Sequence, residues 1–401
     1  MKSLSLLLLL AGSAQALSLS LADIAPRVRD HHPALQAARL AVAEAQGRQL
    51  GAGRLSNPTL GFDWRSESQL SPVTGEFSFE QAFPLTRRLS LEKQLTAQGV
   101  AAAELEVREV ERRLIAEARA LAVELLALDP QQRLRQDQQE LAGKLADFTR
   151  DRAEKGEFSP LDAAQARLDA HRLRLESQKL DNQRTSLLGQ LKPRLGLPPE
   201  SPLQLTGELP SPVLPGTTPW QQRADYRLAQ TQAQAAQTAV ELAKARRLQD
   251  VSAGLVGGPE QQWLRGTGGQ STGFIGFRVS VPLPFWNRNQ GEIAEKAATA
   301  ERARLETEAL GRQIAGEADT ARREMQAQAE LVRETRDHLL PLVLEQTKQL
   351  EQAYEAGQTD LLAVLRARDQ RLQLEAAALD AVRDFHLARI RYEAATGTLQ
   401  P

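Results

Sequence analysis

The chain tells one story twice. Phe79-(x)3-Phe83-Pro84-Leu85 is answered by Phe277-(x)3-Val281-Pro282-Leu283, Gly156 by Gly357, and Gly196 by Gly397, at a nearly constant offset. Each half reads as an amphipathic helical stretch, two short alternating strands, a very long polar helix, a glycine-centred break and another long helix. A repeat of this kind points to stacked or symmetric architecture.

The composition agrees with long rods better than with ordinary globules. Aromatic residues make up only 4%, while Ala, Gln, Glu, Arg and Leu dominate, as in long helices and coiled coils. Basic and acidic residues balance at 50 against 51, so no surplus of charge calls for nucleic acid. Cysteine is absent, which excludes disulfides, thiol redox chemistry and Cys-based metal sites. The first sixteen residues read as a secretion signal: Lys2 is the basic start, Leu4 to Ala11 the apolar run, and Ala14-Gln15-Ala16 the small-x-small cleavage site. Cleavage is expected near Ala16, with the mature chain leaving the cytoplasm. No lipid anchor is expected, because no Cys stands at the cleavage site. No later run is long and apolar enough for an inner-membrane helix.

Residues 17–195 form the first repeat. Leu21 to about Gly51 reads as helix. Leu60, Phe62 and Trp64 then alternate with polar residues, and so do Phe77, Phe79 and Phe83 after a turn-rich connection. Period-2 patterning with one apolar face predicts strands at about 57–66 and 75–84. A long helix follows over about 88–155, then a return helix over about 159–195. Ser159 before Pro160 supplies an N-cap followed by Pro at the first helical position.

Residues 220–401 form the second repeat, with strands at about 249–257 and 272–283, a long helix over 289–356 and a return helix over 359–396. Its two strands are joined by a Gly-rich loop that carries Trp263. Trp286 is placed for an aromatic girdle at the opposite interface. Segment 196–219, rich in proline, joins the halves as a linker or collar.

About ten residues is what a tilted membrane-spanning strand needs. A soluble hairpin packed on helices is the plain alternative. The membrane reading is preferred because signal, strand length and repetition agree. Each long helix would reach about 100 Å, beyond any compact domain. Pro130 and Pro341 are expected to kink these helices without ending them. Leucines at heptad steps (161, 168, 175; 173, 180, 187; 365, 372, 379) mark narrow coiled-coil seams on otherwise polar helices. Four spanning strands cannot close a barrel, and an open edge is not tolerated in lipid. The predicted fold is therefore a mixed α+β membrane protein of two structural repeats. Its four transmembrane β-strands would enter a β-barrel shared by an oligomer, with a long α-helical coiled-coil tunnel. Physics alone admits a dimer, a trimer or a larger ring.

The pattern resembles the TolC-like outer membrane efflux family, and more narrowly its CzcC-like branch of heavy-metal efflux. The resemblance spans essentially the whole mature chain. It rests on Asn57-Pro58-Thr59-Leu60, Leu205-Thr206-Gly207-Glu208-Leu209, Pro282-Leu283-Pro284-Phe285-Trp286-Asn287-Arg288-Asn289-Gln290-Gly291, Tyr354-(x)2-Gly357-(x)2-Asp360-Leu361-Leu362-(x)2-Leu365 and Arg391-Tyr392-(x)4-Gly397. It implies a homotrimer with a twelve-stranded barrel in outer membrane lipid and a periplasmic tunnel. The tunnel would be docked on a periplasmic membrane-fusion adaptor and an inner-membrane resistance-nodulation-division pump. Many relatives carry a lipid-modified N-terminal Cys that this chain lacks.

No constellation for catalysis is present, so the expectation is a non-enzyme without cofactor. The five histidines (31, 32, 171, 338, 386) show no ligand spacing, and Met325 is the only Met after signal removal. A metal cargo would then be selected by the pump and adaptor. The resemblance places adaptor contacts at the two hairpin tips, on Gly156, Phe158, Ser159, Leu161, Gly357, Thr359, Asp360 and Leu361. Asp162 and Asp360 are candidates for an acidic ring or gate that favours cations, against simple service at helix N-termini. Phe62, Trp64, Phe77, Phe79, Phe277 and Val279 read as lipid-facing. The same channel could serve drug efflux or type I secretion. A soluble periplasmic coiled-coil adaptor is the rival from another class, but it gives no reason for four strands with outward aromatics.

Overall fold

A computed structural model describes residues 17–66, 73–264 and 268–398. The expected signal 1–16, the first hairpin's connection at 67–72 and Gly266 lie outside them. The described residues open with β1 (Leu17–Leu19), α1 (Ile24–His31) and α2 (Pro33–Gly51). The helix expected from Leu21 to Gly51 is thus broken at His32, whose ψ of 120° is extended. Pro33 is the reason, since its ring disfavours helical backbone in the residue before it.

Next come β2 (Thr59–Ser66), β3 (Val73–Phe83), α3 (Arg88–Glu154) and α4 (Pro160–Arg194). The proline-rich segment holds β4 (Leu203–Leu205), which pairs in parallel with β1. The second half supplies α5 (Ala224–Ala245), β5 (Val251–Leu264), β6 (Gly268–Ser280), α6 (Gln290–Arg333), α7 (Leu340–Glu355) and α8 (Leu361–Thr396). α3 is 67 residues long and keeps Pro130 inside it. The second long helix is not continuous: a π-type turn over Glu334–Leu339 separates α6 from α7, just before Pro341. Proline has no N–H for the preceding turn and its ring crowds that turn's carbonyl, so the backbone widens there.

The four landmark glycines close helices in the same way. Gly156, Gly196, Gly357 and Gly397 all have positive φ, between 67° and 76°. At Gly156 the next amide, Glu157 N, donates to Arg152 O (2.9 Å), and at Gly357 Gln358 N donates to Ala353 O (2.8 Å). Leu197 N to Lys192 O and Thr398 N to Glu393 O, both 2.9 Å, repeat the pattern. These are Schellman closures, and they need the left-handed residue that glycine supplies without strain.

The chain forms two compact units, each drawing on both repeats. One comprises the described parts of Met1–Ala37, Arg108–Arg223 and Arg312–Pro401, and the other Ala38–Val107 and Ala224–Gly311. The first is mainly helical and includes the short β1–β4 pair. In it Phe385, Ala388, Tyr392, Met325, Ala321 and Val332 pack as a core. The middle of α3 is not the narrow apolar seam on an otherwise polar helix that was expected: Leu125, Leu126, Ala127 and Leu128 are consecutive and all buried. The second unit holds a four-stranded antiparallel sheet in the order β2-β3-β5-β6.

β5 and β6 run further than the expected 257 and 272 limits. Gly257 and Gly258 pair with Ile275 and Phe274 where a loop was expected, and Trp263 pairs with Gly269. These glycines mark close approach and not a turn. A Cβ on Gly258 would overlap the Gly75 carbonyl, and one on Gly254 would overlap that of Phe79.

Candidate functional site

Two features of the chain offer surfaces for work: the apolar face of the sheet and the tips of the two helical hairpins. In the sheet, register decides the faces. Phe62 stands opposite Phe77, Leu60 opposite Phe79, Phe79 opposite Leu255, Leu255 opposite Phe277, and Ala253 opposite Val279. Direct partners share a face, so these apolar residues form one continuous surface. The Phe62 and Phe77 rings lie 4.8 Å apart and Trp64 tilts against Phe62 at 6.2 Å. Gly75 makes room for the Trp64 ring. This surface is bare: Phe277 is 88% and Ile275 86% exposed. The opposite face is polar, with Asp63 opposite Glu76 and Arg278 paired to Glu76. β2 and β6 each pair on one side only among the described residues.

At the base of the strands a charge network fixes where sheet passes into helix. Arg88 bonds both Asp250 (2.6 Å) and Glu92 (3.1 Å), and Arg246 reaches Glu92 and Glu292. The Asn287-to-Gly291 motif is part of this joint. Asn289 takes left-handed backbone (φ 59°), which Asn tolerates. Its side-chain amide donates to Ala243 O (3.0 Å) and Glu292 (2.6 Å).

The tips are turns between α3 and α4 and between α7 and α8. In the first, Ser159 Oγ accepts from Leu161 N (3.2 Å) with Pro160 at the start of α4. Phe158 packs edge-on against Phe148. Arg152 lies over the Phe148 ring and pairs with Glu157, a hydrogen bond that lowers the Glu157 pKa and raises that of Arg152. In the second tip, Asp360 caps α8, its Oδ1 accepting from Ala363 N (2.8 Å). Arg368 joins Glu351 across that hairpin (2.6 Å).

Gly156, Phe158, Ser159 and Leu161 therefore sit together at one turn, and Gly357, Thr359, Asp360 and Leu361 at the other. Asp162 is exposed in the first turn of α4, without the capping bond that Asp360 makes. No His, Cys, Asp or Glu group of three or more is placed to hold a metal among the described residues. No described helix is long and apolar enough to cross a membrane.

The two leucine seams of α4 differ. Leu187 is buried and Leu173 and Leu180 half-buried. Leu161, Leu168 and Leu175 are 75%, 63% and 58% exposed. In α8, by contrast, Leu365 and Leu372 are buried. One site went unseen in the sequence: a cavity of the helical unit lined by Arg119 and His386. Its only signal was a lone Arg within the largely apolar run from Leu114 to Leu128.

A helical unit and one edge-open sheet of four strands, two from each half of the chain, form a fold that solved outer-membrane channels share. Vibrio cholerae outer membrane protein VceC superimposes with a TM-score of 0.71 at 20% identity, over 94% of this chain and 96% of that one. The transmembrane channel CusC gives 0.72 at 16% identity (94% and 91%), and the Campylobacter jejuni outer membrane channel CmeC 0.72 at 14% (95% and 87%). At these identities the likeness establishes the fold. No protein-family model and no curated relative matches the sequence.

Proposed function

We propose that the protein is the outer-membrane channel of a tripartite, resistance-nodulation-division type efflux system, a passive exit duct for substrate handed over in the periplasm. The observation that carries this reading is the bare apolar face on a sheet with two open edges. In water such a surface invites aggregation; in lipid it is the proper outer wall of a barrel, provided further copies close the edges. The exposed Leu161–Leu168–Leu175 seam also asks for a partner helix, each leucine gaining about 1.5–3 kcal/mol on burial. The fold likeness to solved outer-membrane channels agrees.

In this reading three copies share a twelve-stranded barrel, with residues 1–16 removed near Ala16 and the helical unit in the periplasm. Phe62, Trp64, Phe77, Phe79, Phe277 and Val279 face lipid. The tip residues Gly156, Phe158, Ser159, Leu161, Gly357, Thr359, Asp360 and Leu361 meet the adaptor, and Asp162 and Asp360, tripled by symmetry, form an acidic ring. The cargo is heavy-metal cations, on the motif resemblance through Asn287-Arg288-Asn289-Gln290-Gly291.

Fractionation of cells expressing the full chain tests the channel: it belongs in the outer membrane as a trimer that conducts ions in planar bilayers. Recovery as a soluble monomer without detergent overturns it. Growth of a deletion strain across divalent metals and organic toxicants tests the cargo. Sensitivity to metals alone is expected, whereas sensitivity to dyes, detergents or antibiotics alone keeps the channel and removes the metal.

A further inference from the structure

The helical unit contains a cavity of about 730 Å³, walled by α3, α8 and the segment from Thr206 to Thr218. Its wall includes Arg119, which is only 8% exposed. A guanidinium carries five donors in a planar fork and stays charged in proteins. Here the fork has one distant ion-pair partner, Glu393. Glu393 is 3.9 Å from Arg119 Nη1, beyond hydrogen-bond reach, and Arg119 Nε is buried with no partner. Glu393 is already engaged, accepting from Arg389 Nε at 2.8 Å. Two cations, Arg119 and Arg389, thus share one carboxylate inside the cavity, with Glu208 at the exposed rim.

The surroundings are built and not merely open. His386, itself buried, meets the Pro210 carbonyl through Nε2 (2.8 Å), and Tyr392 OH donates to Gly216 O (3.5 Å). Both bonds hold the proline-rich segment as a fixed wall. Thr206, Thr217 and Thr218 add hydroxyls to the lining, and Val123, Leu126 and Ile390 add apolar area. Burial pulls the Arg119 pKa down; Glu393 opposes the fall, and the neighbouring Arg29 and Arg389 add to it.

We propose that this cavity binds a carboxylate carried on a small apolar body, the carboxylate completing the hydrogen bonds of Arg119 and the body resting on Val123, Leu126 and Ile390. A carboxylate matches the guanidinium fork in bidentate fashion, which a chloride ion cannot do. The site lies outside the tips and the sheet, so it stands or falls independently of the proposed channel.

The test is calorimetric titration of the purified full-length protein with benzoate, acetate and chloride at constant ionic strength. Benzoate should saturate one site per chain and bind at least about tenfold tighter than acetate, with chloride inert. In Arg119→Gln, benzoate affinity should fall at least about tenfold while the melting profile remains cooperative. Absence of saturable benzoate binding to the wild type overturns the proposal, whether or not the variant folds. Undiminished binding in a folded Arg119→Gln protein overturns it equally.

Discussion

Phe158 meets Phe148 edge-on at the first hairpin tip, ring centroids 5.9 Å apart, whereas the equivalent of Phe158 in the second tip is Thr359. The two turns share their glycine closure and differ in what clasps them. Replacing Phe158 by Thr should loosen the first tip by about 0.5–1.5 kcal/mol, the worth of an aromatic pair beyond its burial. Amide exchange around 153–159 should accelerate, and Thr359→Ala should leave the second tip within about 0.5 kcal/mol of native.

The landmark glycines should fall into two grades. At Gly156 and Gly357 a Cβ would meet open space, so Ala there carries only the left-handed backbone penalty of about 1–2 kcal/mol. At Gly196 the same Cβ would overlap the His31 carbonyl, so Gly196→Ala should cost more. Thermal melting of the three variants side by side gives the ranking.

Asp162 and Asp360 can be told apart by substitution. Asp360→Ala removes the cap of α8 and should cost about 1 kcal/mol, while Asp360→Asn retains an acceptor and should cost little. Asp162→Asn should be nearly silent in stability. If the acidic ring operates, both Asn variants lower the cation-to-anion permeability ratio in planar bilayers, and an unchanged ratio removes the ring.

Phe277, 88% exposed, is the most exposed aromatic of the sheet's apolar face among the residues whose burial is described. With that face against lipid, Phe277→Arg should destabilise the membrane-inserted protein by about 2–4 kcal/mol if it lies near the midplane. Ser280→Arg, from the alternate register positions of the same strand, should be far milder. Denaturant titration in lipid vesicles measures both, and equal losses would place lipid elsewhere.

Burial holds the His386 pKa below the usual histidine value, against the pull of its hydrogen bond to Pro210. The unfolded chain therefore binds the proton first. The contribution of His386 to stability is complete above about pH 6.5 and declines as pH falls through that value, levelling only below the depressed folded pKa. The melting temperature should drop on acidification across this window, and His386→Phe should flatten the decline.

Much of the architecture was legible because its signals are periodic. Alternation in Leu60–Phe62–Trp64 and Phe77–Phe79 forecast strands, and the register aligns them on one face. Glycines were ambiguous: Gly156 and Gly357 mark turns, but Gly257 and Gly258 lie within β5, where backbone proximity and not φ excludes a side chain. Prolines were ambiguous too. Pro130 stays inside a continuous helix while Pro341 follows a widened turn, and local sequence does not separate the two. The Arg119 cavity was illegible because its walls come from positions as distant as Thr206 and His386.

The positive-φ glycines have a last consequence. Gly196 lies forty positions beyond Gly156, and Gly397 forty beyond Gly357. Each return arm is thus a ruler stamped at both ends. Deleting one residue from an arm would draw its tip back by about 1.5 Å and swing it by roughly 100°, so the two arms would no longer match in length. A deletion matched in the other arm would keep the two arms equal in length.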